Sequence, residues 1–158
     1  MPHLKSPNVT RFLADENETL AYGAALGRAL EPGLLIYLSG ELGAGKTTFA
    51  RGVLRALGYV GRVKSPSFAL VEVYNFFKLY LYHFDFYRFE RSRELEDMGF
   101  REYFRADAVC LIEWPEKAPG LPPCDLHVTM HVNGDGRTLT ISSDTEAGTL
   151  CIGRLQLQ

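Results

Sequence analysis

The sequence predicts an α/β fold with a mixed sheet, mostly parallel at its centre, flanked by helices and extended by antiparallel hairpins. Two observations lead to this prediction. The apolar run Leu34–Leu38 leads directly into the glycine-rich segment Gly40–Thr48, and apolar residues at helical spacing follow it. Downstream, two pairs of alternating apolar runs are joined by short links, as in antiparallel hairpins. A strand, a glycine-rich loop and a helix in this order favour the P-loop NTPase-like form of the α/β class.

The glycine-rich loop has the composition of a phosphate-binding loop. Its residues Gly40-Glu41-Leu42-Gly43-Ala44-Gly45-Lys46-Thr47 match the pattern G-x-x-x-x-G-K-[ST] at every position, and Thr48 follows. Glycine allows positive φ angles, which bring backbone N–H groups close to phosphate oxygens. Lys46 is expected to reach the β- and γ-phosphates, and the Thr47 hydroxyl is expected to ligate Mg²⁺. The predicted nucleotide-binding residues of this loop are Gly43, Ala44, Gly45, Lys46, Thr47 and Thr48.

The flanking residues argue against the alternative, a tight turn that merely joins a strand to a helix. The helix after the loop carries Phe49, Val53 and Leu54 on one face, and Gly58 stands where a C-terminal cap belongs. The segment between Asp15 and Glu18 has the form of a capping box and predicts another helix before the loop. We interpret the loop as a nucleotide-binding loop in this context.

The whole chain is expected to form one domain, residues 1–158, without a membrane span. Its net charge of −2 offers no global electrostatic reason for tight nucleic-acid binding, although a local basic patch stays open. No apolar run approaches the length of a transmembrane helix, and the first residues lack the apolar core of a signal peptide. The three cysteines are widely spaced and form no C-x-x-C pattern. These features together indicate a cytoplasmic protein.

Several further elements follow from local patterns. The segments Phe68–Tyr74 and Leu79–Phe84 predict one hairpin, and His127–Val132 with Thr138–Ser142 predict a second. The charged segment Glu90–Arg105 is expected to form one or two short helices broken at Gly99, and Leu150–Leu157 is expected to form a final strand.

Two acidic residues stand at the ends of predicted strands. Glu113 ends the apolar run Ala108–Ile112 in the manner of a Walker B carboxylate, so it is expected to coordinate Mg²⁺ or orient water. A solvated glutamate at a strand end is the less favoured alternative. Asp85 could likewise hold Mg²⁺ or position an attacking water, and a surface aspartate, or an aspartate paired with Arg88, is an equally weighted alternative. His83 is expected to be a hydrogen-bonded structural residue.

The polar segment Ser65-Pro66-Ser67 allows two interpretations. A hydroxyl at this place in a P-loop protein can sense the γ-phosphate as part of a switch. Serines beside a proline are also ordinary turn formers. The residues alone favour the turn.

These motifs resemble those of the bacterial TsaE family (formerly YjeE), the ATPases of tRNA threonylcarbamoyladenosine biosynthesis. The resemblance extends from about Asp15 to Cys151. Besides the glycine-rich loop, its specific segments are Val63–Phe68 with Leu70-Val71-Glu72, His83-Phe84-Asp85-Phe86-Tyr87-Arg88, Glu94–Gly99 and Leu111-Ile112-Glu113-Trp114-Pro115. Five motifs in the same order are more specific than a P-loop alone.

The resemblance implies an ATPase subunit that works with two other proteins, TsaB and TsaD. TsaD transfers a threonylcarbamoyl group to N6 of adenosine 37 in tRNAs that read codons beginning with adenine, and the ATPase contacts tRNA only through this complex. Its ATP hydrolysis, stimulated by the partners, is thought to reset the complex between turnovers. The resemblance implies Mg²⁺ ligation by Thr47 and Glu113, and catalytic roles for Lys46, Asp85 and Glu113. It also implies nucleotide contacts by Ser67 and Trp114.

One residue departs from the family pattern. Ser67 stands where the family usually has threonine; serine keeps the hydroxyl but lacks the stiffening methyl group. Two other classes of function stay open from the residues. One is a small P-loop kinase for a nucleoside or another small molecule, in which Asp85 could serve as base; Glu90-Arg91-Ser92 resembles a motif of deoxynucleoside kinases. The other is a nucleotide-dependent binding module without appreciable hydrolysis.

Overall fold

The structure, a computed structural model, describes residues 8–66, 70–88 and 99–158. In these ranges the chain forms one seven-stranded sheet, three α-helices and two short 3-10 helices. The strands are β1 (Asn8–Leu13), β2 (Leu35–Ser39), β3 (Val71–Asn75), β4 (Tyr80–Asp85), β5 (Ala108–Glu113), β6 (Leu126–Asn133) and β7 (Gly136–Ser143). The α-helices are α1 (Glu16–Ala29), α2 (Lys46–Ala56) and α3 (Glu146–Gln156), and the 3-10 helices are Phe100–Tyr103 and Pro115–Lys117.

The sheet has the strand order β1-β7-β6-β2-β5-β4-β3. The four central strands β6, β2, β5 and β4 run parallel. Strand β7 pairs antiparallel with β6, β3 pairs antiparallel with β4, and β1 pairs antiparallel with β7. Both predicted hairpins are present, as β3–β4 and β6–β7. The predicted α/β class, with a mostly parallel centre and antiparallel hairpins, is confirmed.

Parallel pairing brings the ends of three strands to one edge of the sheet. Glu113 at the end of β5 is aligned with Leu38 of β2 on one side and with Asp85 of β4 on the other. The glycine-rich loop follows β2 directly. The loop and the two carboxylates therefore meet at the carboxyl edge, which is where open α/β sheets bind ligands.

The helix pair α1–α2 packs closely because glycines face each other. A Cβ atom at Gly52 would lie 2.3 Å from the Leu20 carbonyl oxygen, and one at Gly23 would lie 2.3 Å from the Phe49 carbonyl oxygen. The start of α1 confirms the predicted capping box: the Asp15 carboxylate accepts from the Glu18 N–H at 2.9 Å, and the Glu18 carboxylate accepts from the N–H of Ala14. These contacts fix α1 beside the glycine-rich loop.

The structure differs from the sequence prediction at both ends of the described chain. The predicted final strand is wrong, because residues 150–156 belong to α3. Thr145 caps this helix by accepting from the Gly148 N–H at 3.1 Å. Cys151, Ile152 and Leu155 are buried at helical spacing. Strand β1 has no counterpart in the sequence prediction, since its burial does not alternate strictly.

The charged segment predicted to be helical is described only from Gly99 onwards. Gly99 has a φ of 67° and precedes the 3-10 helix Phe100–Tyr103. The part of the prediction between residues 90 and 98 lies outside the described residues. None of the helices in the described ranges combines the length and the hydrophobicity that a membrane span requires.

Candidate nucleotide site

The glycine-rich loop connects β2 to α2 through three glycines with positive φ. The φ angles are 153° at Gly40, 80° at Gly43 and 99° at Gly45, and residues other than glycine rarely adopt such values. A Cβ atom at Gly40 would also lie 2.4 Å from the Met130 carbonyl oxygen. Gly45 precedes α2 without a side-chain cap, so N–H groups in the first turn of this helix are available to an anion.

Arg137 of β7 holds the loop from outside. Its Nη2 donates to the Gly43 carbonyl oxygen at 3.1 Å, and its Nε donates to the Ala44 carbonyl oxygen at 3.0 Å. Glu41 ties the loop to β6 by accepting from the Val132 N–H at 2.8 Å, and this contact lowers the pKa of Glu41. Arg137 was not predicted from the sequence; its place directly after the β6–β7 turn was the only local signal.

Lys46 lies buried beneath the loop, with 6% of its surface exposed. Its Nζ donates to the carbonyl oxygens of Gly40 and Glu41, at 3.2 Å for the latter. The same ammonium lies 4.2 Å from the centre of the Trp114 ring. Burial lowers the pKa of Lys46, and the nearby carboxylates, Glu113 first, oppose that shift. The ammonium is thus held between the loop, an aromatic ring and the acidic pair.

Asp85 and Glu113 form a buried acidic pair at the ends of β4 and β5. Asp85 is 4% exposed and Glu113 is 2% exposed. The Ser65 hydroxyl donates to the Asp85 carboxylate and lies 3.4 Å from Glu113 Oε2. The Tyr87 N–H donates to Asp85 Oδ1 at 2.9 Å. Two of the alternatives are therefore wrong: Asp85 does not lie at the surface, and Glu113 is not solvated.

His83 holds the other side of the Glu113 carboxylate. Its Nε2 lies 2.7 Å from Glu113 Oε2, and the ring is fully buried. Because an ionised carboxylate only accepts, this hydrogen bond places a proton on Nε2. Nδ1 has no hydrogen-bond partner among the described residues. The expectation of a hydrogen-bonded histidine is met, and its partner is one of the predicted catalytic residues.

Trp114 stands directly after the acidic pair in a strained backbone conformation. Its φ is 57°, which residues other than glycine rarely adopt and which costs on the order of 1–3 kcal/mol. The ring centres of Trp114 and Tyr87 lie 5.1 Å apart. The strain and these ring contacts turn the indole toward Lys46, as the resemblance implied for a residue near the site.

A single cavity of about 600 Å³ joins the loop to the acidic pair. The predicted site residues in its wall are Gly43, Ala44, Gly45, Lys46, Thr47, Thr48, Asp85, Glu113 and Trp114. Residues that were not predicted to belong to the site also line it, among them Leu13, Tyr87, Arg88 and Arg137. Ser65, from the segment for which a switch was one interpretation, lines it as well. Thr19 of α1 lines it too. Predicted Ser67 lies outside the described residues.

The oxygen donors of this cavity fit Mg²⁺. Hydroxyl or carboxylate oxygens in the wall of this cavity come from Thr47, Ser65, Asp85 and Glu113. Within the described ranges, no three His, Cys, Asp or Glu side chains converge into a cluster that could hold a metal by themselves. Mg²⁺ ordinarily takes one or two carboxylates and completes its shell with water and substrate phosphates. A donor set with few protein ligands is therefore appropriate for Mg²⁺ bound together with a nucleotide.

Comparison with known proteins matches this chain to one family. The family model described as "Threonylcarbamoyl adenosine biosynthesis protein TsaE" matches residues 13–139. The tRNA threonylcarbamoyladenosine biosynthesis protein TsaE of Haemophilus influenzae is 42% identical over 147 residues, covering 89% of this chain and 93% of that protein. The protein of the same name from Treponema pallidum is 38% identical over 127 residues, with 79% and 93% covered.

The fold is also similar to that of a solved structure. The crystal structure of Bacillus subtilis YdiB superposes with a TM-score of 0.79 at 28% identity, covering 98% of this chain and 97% of that one. The family match spans the glycine-rich loop, the acidic pair and the arginine that holds the loop. The chain therefore belongs to the TsaE family of threonylcarbamoyl adenosine biosynthesis proteins, which are P-loop ATPase-like proteins.

Proposed function

We propose that this protein is an ATP-binding and ATP-hydrolysing subunit that works with TsaB and TsaD. The three proteins would together form the threonylcarbamoyl group on N6 of adenosine 37 in tRNAs that read codons beginning with adenine. The observation that carries the ATPase part is the single cavity in which a complete P-loop faces two buried carboxylates. Family membership supports the pathway.

The loop supplies the phosphate contacts in this proposal. Positive φ angles at Gly43 and Gly45 leave the backbone open to phosphate oxygens, and the start of α2 adds the positive end of its dipole. Lys46 would exchange its two carbonyl contacts for the β- and γ-phosphates. Leu13 and Thr19 lie in the wall of the same cavity and would contact the nucleoside.

The acidic pair supplies the hydrolytic part. Thr47 and Glu113 would hold Mg²⁺, which would supply positive charge to offset the negative charge of the phosphates. Asp85 would orient the attacking water, since its carboxylate is fixed by Ser65 and by the Tyr87 N–H. Ser65 contacts both carboxylates, which supports the switch interpretation of this segment over a plain turn. Ser67 stays a prediction, as do a single domain over residues 1–158 and a cytoplasmic location.

The test is ATP turnover by the purified protein, alone and with purified TsaB and TsaD. We expect slow turnover alone and a clear rise when both partners are present. A pull-down of the two partners with ATP and with ADP shows whether the bound nucleotide controls assembly. Strong turnover that the partners leave unchanged would contradict the proposal. A kinase is not favoured, because the family match points elsewhere. The motif that suggested it, Glu90-Arg91-Ser92, lies outside the described residues.

A further inference from the structure

Positive charge is segregated into one stretch of a chain that is slightly acidic overall. Between Glu41 and Glu72 there is no Asp or Glu, although the net charge is −2. The basic residues of this stretch are Lys46, Arg51, Arg55, Arg62 and Lys64. Lys46 belongs to the nucleotide cavity. The other four need a separate explanation.

These four side chains line one groove of about 450 Å³, which shares no lining residue with the nucleotide cavity. We call it the basic groove; its lining residues are Arg51, Arg55, Val60, Gly61, Arg62, Val63 and Lys64. The groove lies between α2 and the segment that leads to Ser65. Helix and segment thus bring together charges that are up to 13 positions apart in sequence.

Neighbouring carboxylates do not neutralise the groove. Arg51 contacts Glu16 at 3.5 Å, and Glu16 is itself largely exposed. No ion pair to Arg55, Arg62 or Lys64 occurs among the described residues, and all three side chains are exposed. The three charges for which the described residues provide no ion pair, those of Arg55, Arg62 and Lys64, repel one another around one concavity, and a bound polyanion relieves this repulsion.

The lining favours a phosphate backbone as the ligand. Arginine presents a planar set of donors that matches phosphate oxygens in a bidentate way. Among the described residues, no aromatic side chain lines the groove, so these residues offer no platform on which bases could stack. Its apolar members are two valines, of which Val63 is buried in the core. This is too little apolar surface for the buried centre of a typical protein interface.

We propose that the basic groove binds the phosphate backbone of tRNA directly. The proposal rests on the proposed function for its choice of tRNA among polyanions. It adds a direct contact to the indirect one that the family resemblance implied. Binding through three or four phosphates is independent of base sequence and falls steeply with salt, with a slope of log K against log salt of about −3.

The experiment measures fluorescence anisotropy of a labelled, unmodified transcript of a tRNA that reads codons beginning with adenine. The protein is titrated without nucleotide at several salt concentrations. The test variant is Arg55→Ala with Arg62→Ala and Lys64→Ala. The matched control, Lys78→Ala with Arg101→Ala and Arg105→Ala, removes the same number of positive charges from exposed positions outside the groove. Circular dichroism and ATP affinity confirm that both variants are folded.

We expect the test variant to lose about tenfold or more in affinity at low salt and to show a salt slope reduced by about 2 to 3. The control variant should bind within about twofold of the unaltered protein. Equal losses in both variants, or no binding by the unaltered protein, would overturn the proposal. So would a test variant that still binds RNA but no longer binds TsaB and TsaD, because the groove would then be a protein interface.

The failure of this proposal is distinguishable from failure of the proposed function. RNA binding is measured without nucleotide, so Lys46→Ala should retain it. If ATP turnover responds to the partners while the groove variant binds RNA normally, only the groove proposal is wrong. If RNA binding depends on the groove but turnover does not respond to the partners, only the proposed function is wrong.

Discussion

Lys46 shows how one side chain connects three parts of the site. Its ammonium contacts the loop carbonyls, faces the Trp114 ring and lies near the acidic pair. We predict that Lys46→Ala weakens ATP binding by about 10- to 100-fold, because charge-assisted hydrogen bonds contribute about 1.5–3 kcal/mol. Titration calorimetry with ATP checks the prediction. Lys78→Ala, an exposed lysine outside the cavity, is the control and should leave the affinity unchanged.

A second prediction concerns the charge of the Glu113 carboxylate. Glu113→Gln keeps the shape of the side chain but removes the charge that would ligate Mg²⁺. We expect Mg²⁺-dependent hydrolysis to fall by about 100-fold or more. ATP affinity measured in EDTA should change little. Glu116→Gln, an exposed neighbour, provides the control; a comparable loss in that variant, or normal hydrolysis by Glu113→Gln, would remove Glu113 from the site.

At the scale of single residues, the sequence predicted those whose type is required by the chemistry of phosphate and Mg²⁺ binding. Lys46, Asp85 and Glu113 follow from the spacing of a loop and the ends of two apolar runs. Arg137 and His83 could not be assigned in that way, because their roles depend on contacts with residues far away in the chain. Arg137 bonds carbonyl groups 93 and 94 positions earlier, and no local pattern carries that information.

At the scale of elements, the α1–α2 interface depends on glycines that allow close approach. We predict that Gly52→Ala destabilises the fold by about 1–3 kcal/mol, because the new Cβ atom would lie 2.3 Å from the Leu20 carbonyl oxygen. The higher helix propensity of alanine, worth about 0.5–1 kcal/mol, is too small to offset this clash. A loss of 2 kcal/mol corresponds to a melting temperature about 4–8 °C lower.

Helix α3 offers the matched control for this prediction. At Gly153 an added Cβ atom meets no heavy atom within 4 Å among the described residues, and the position is exposed. Gly153→Ala should therefore raise the melting temperature slightly through helix propensity alone. If both alanine variants shift the melting temperature in the same direction, the close approach of α1 and α2 does not limit stability.

The outcome for individual elements follows from how strong their local patterns are. The strand before the loop and both hairpins have strong alternation or apolar runs, and the structure contains them. The wrong prediction of a strand at α3 has a physical cause: residues 150–157 mix apolar and polar side chains in a way that fits both helical and strand periodicity. The cap at Thr145 decides for the helix by binding the Gly148 N–H.

For the whole molecule, buried thiols predict sensitivity to alkaline conditions. Burial raises the pKa of Cys110 to about 12 and that of Cys151 to about 11. A thiol in the unfolded chain ionises near pH 8.5. Above that pH the unfolded chain releases protons that the folded chain keeps, so the free energy of unfolding falls as pH rises, by up to about 1.4 kcal/mol per pH unit for each thiol.

Urea unfolding between pH 8 and pH 10.5 measures this dependence. Cys151→Ala should be less stable at pH 8, because it loses a buried side chain, but its stability should fall less steeply with pH. Groups common to both proteins cancel in the comparison of slopes. Identical slopes would show that the Cys151 thiol does not contribute.

The position of β2 at the centre of the sheet has a consequence for how the protein is made. Ile36 of β2 pairs with Leu111 of β5 on one side and with Leu126 of β6 on the other. A ribosome adding about 5–20 residues per second needs roughly 5–18 s to reach β6 after β2 has been made. During that time the apolar strand has no partner on one or both sides. A nascent chain stalled before β6 should therefore expose β2 to chaperones, and ATP should not protect it, because Arg137 has not yet been added to hold the loop.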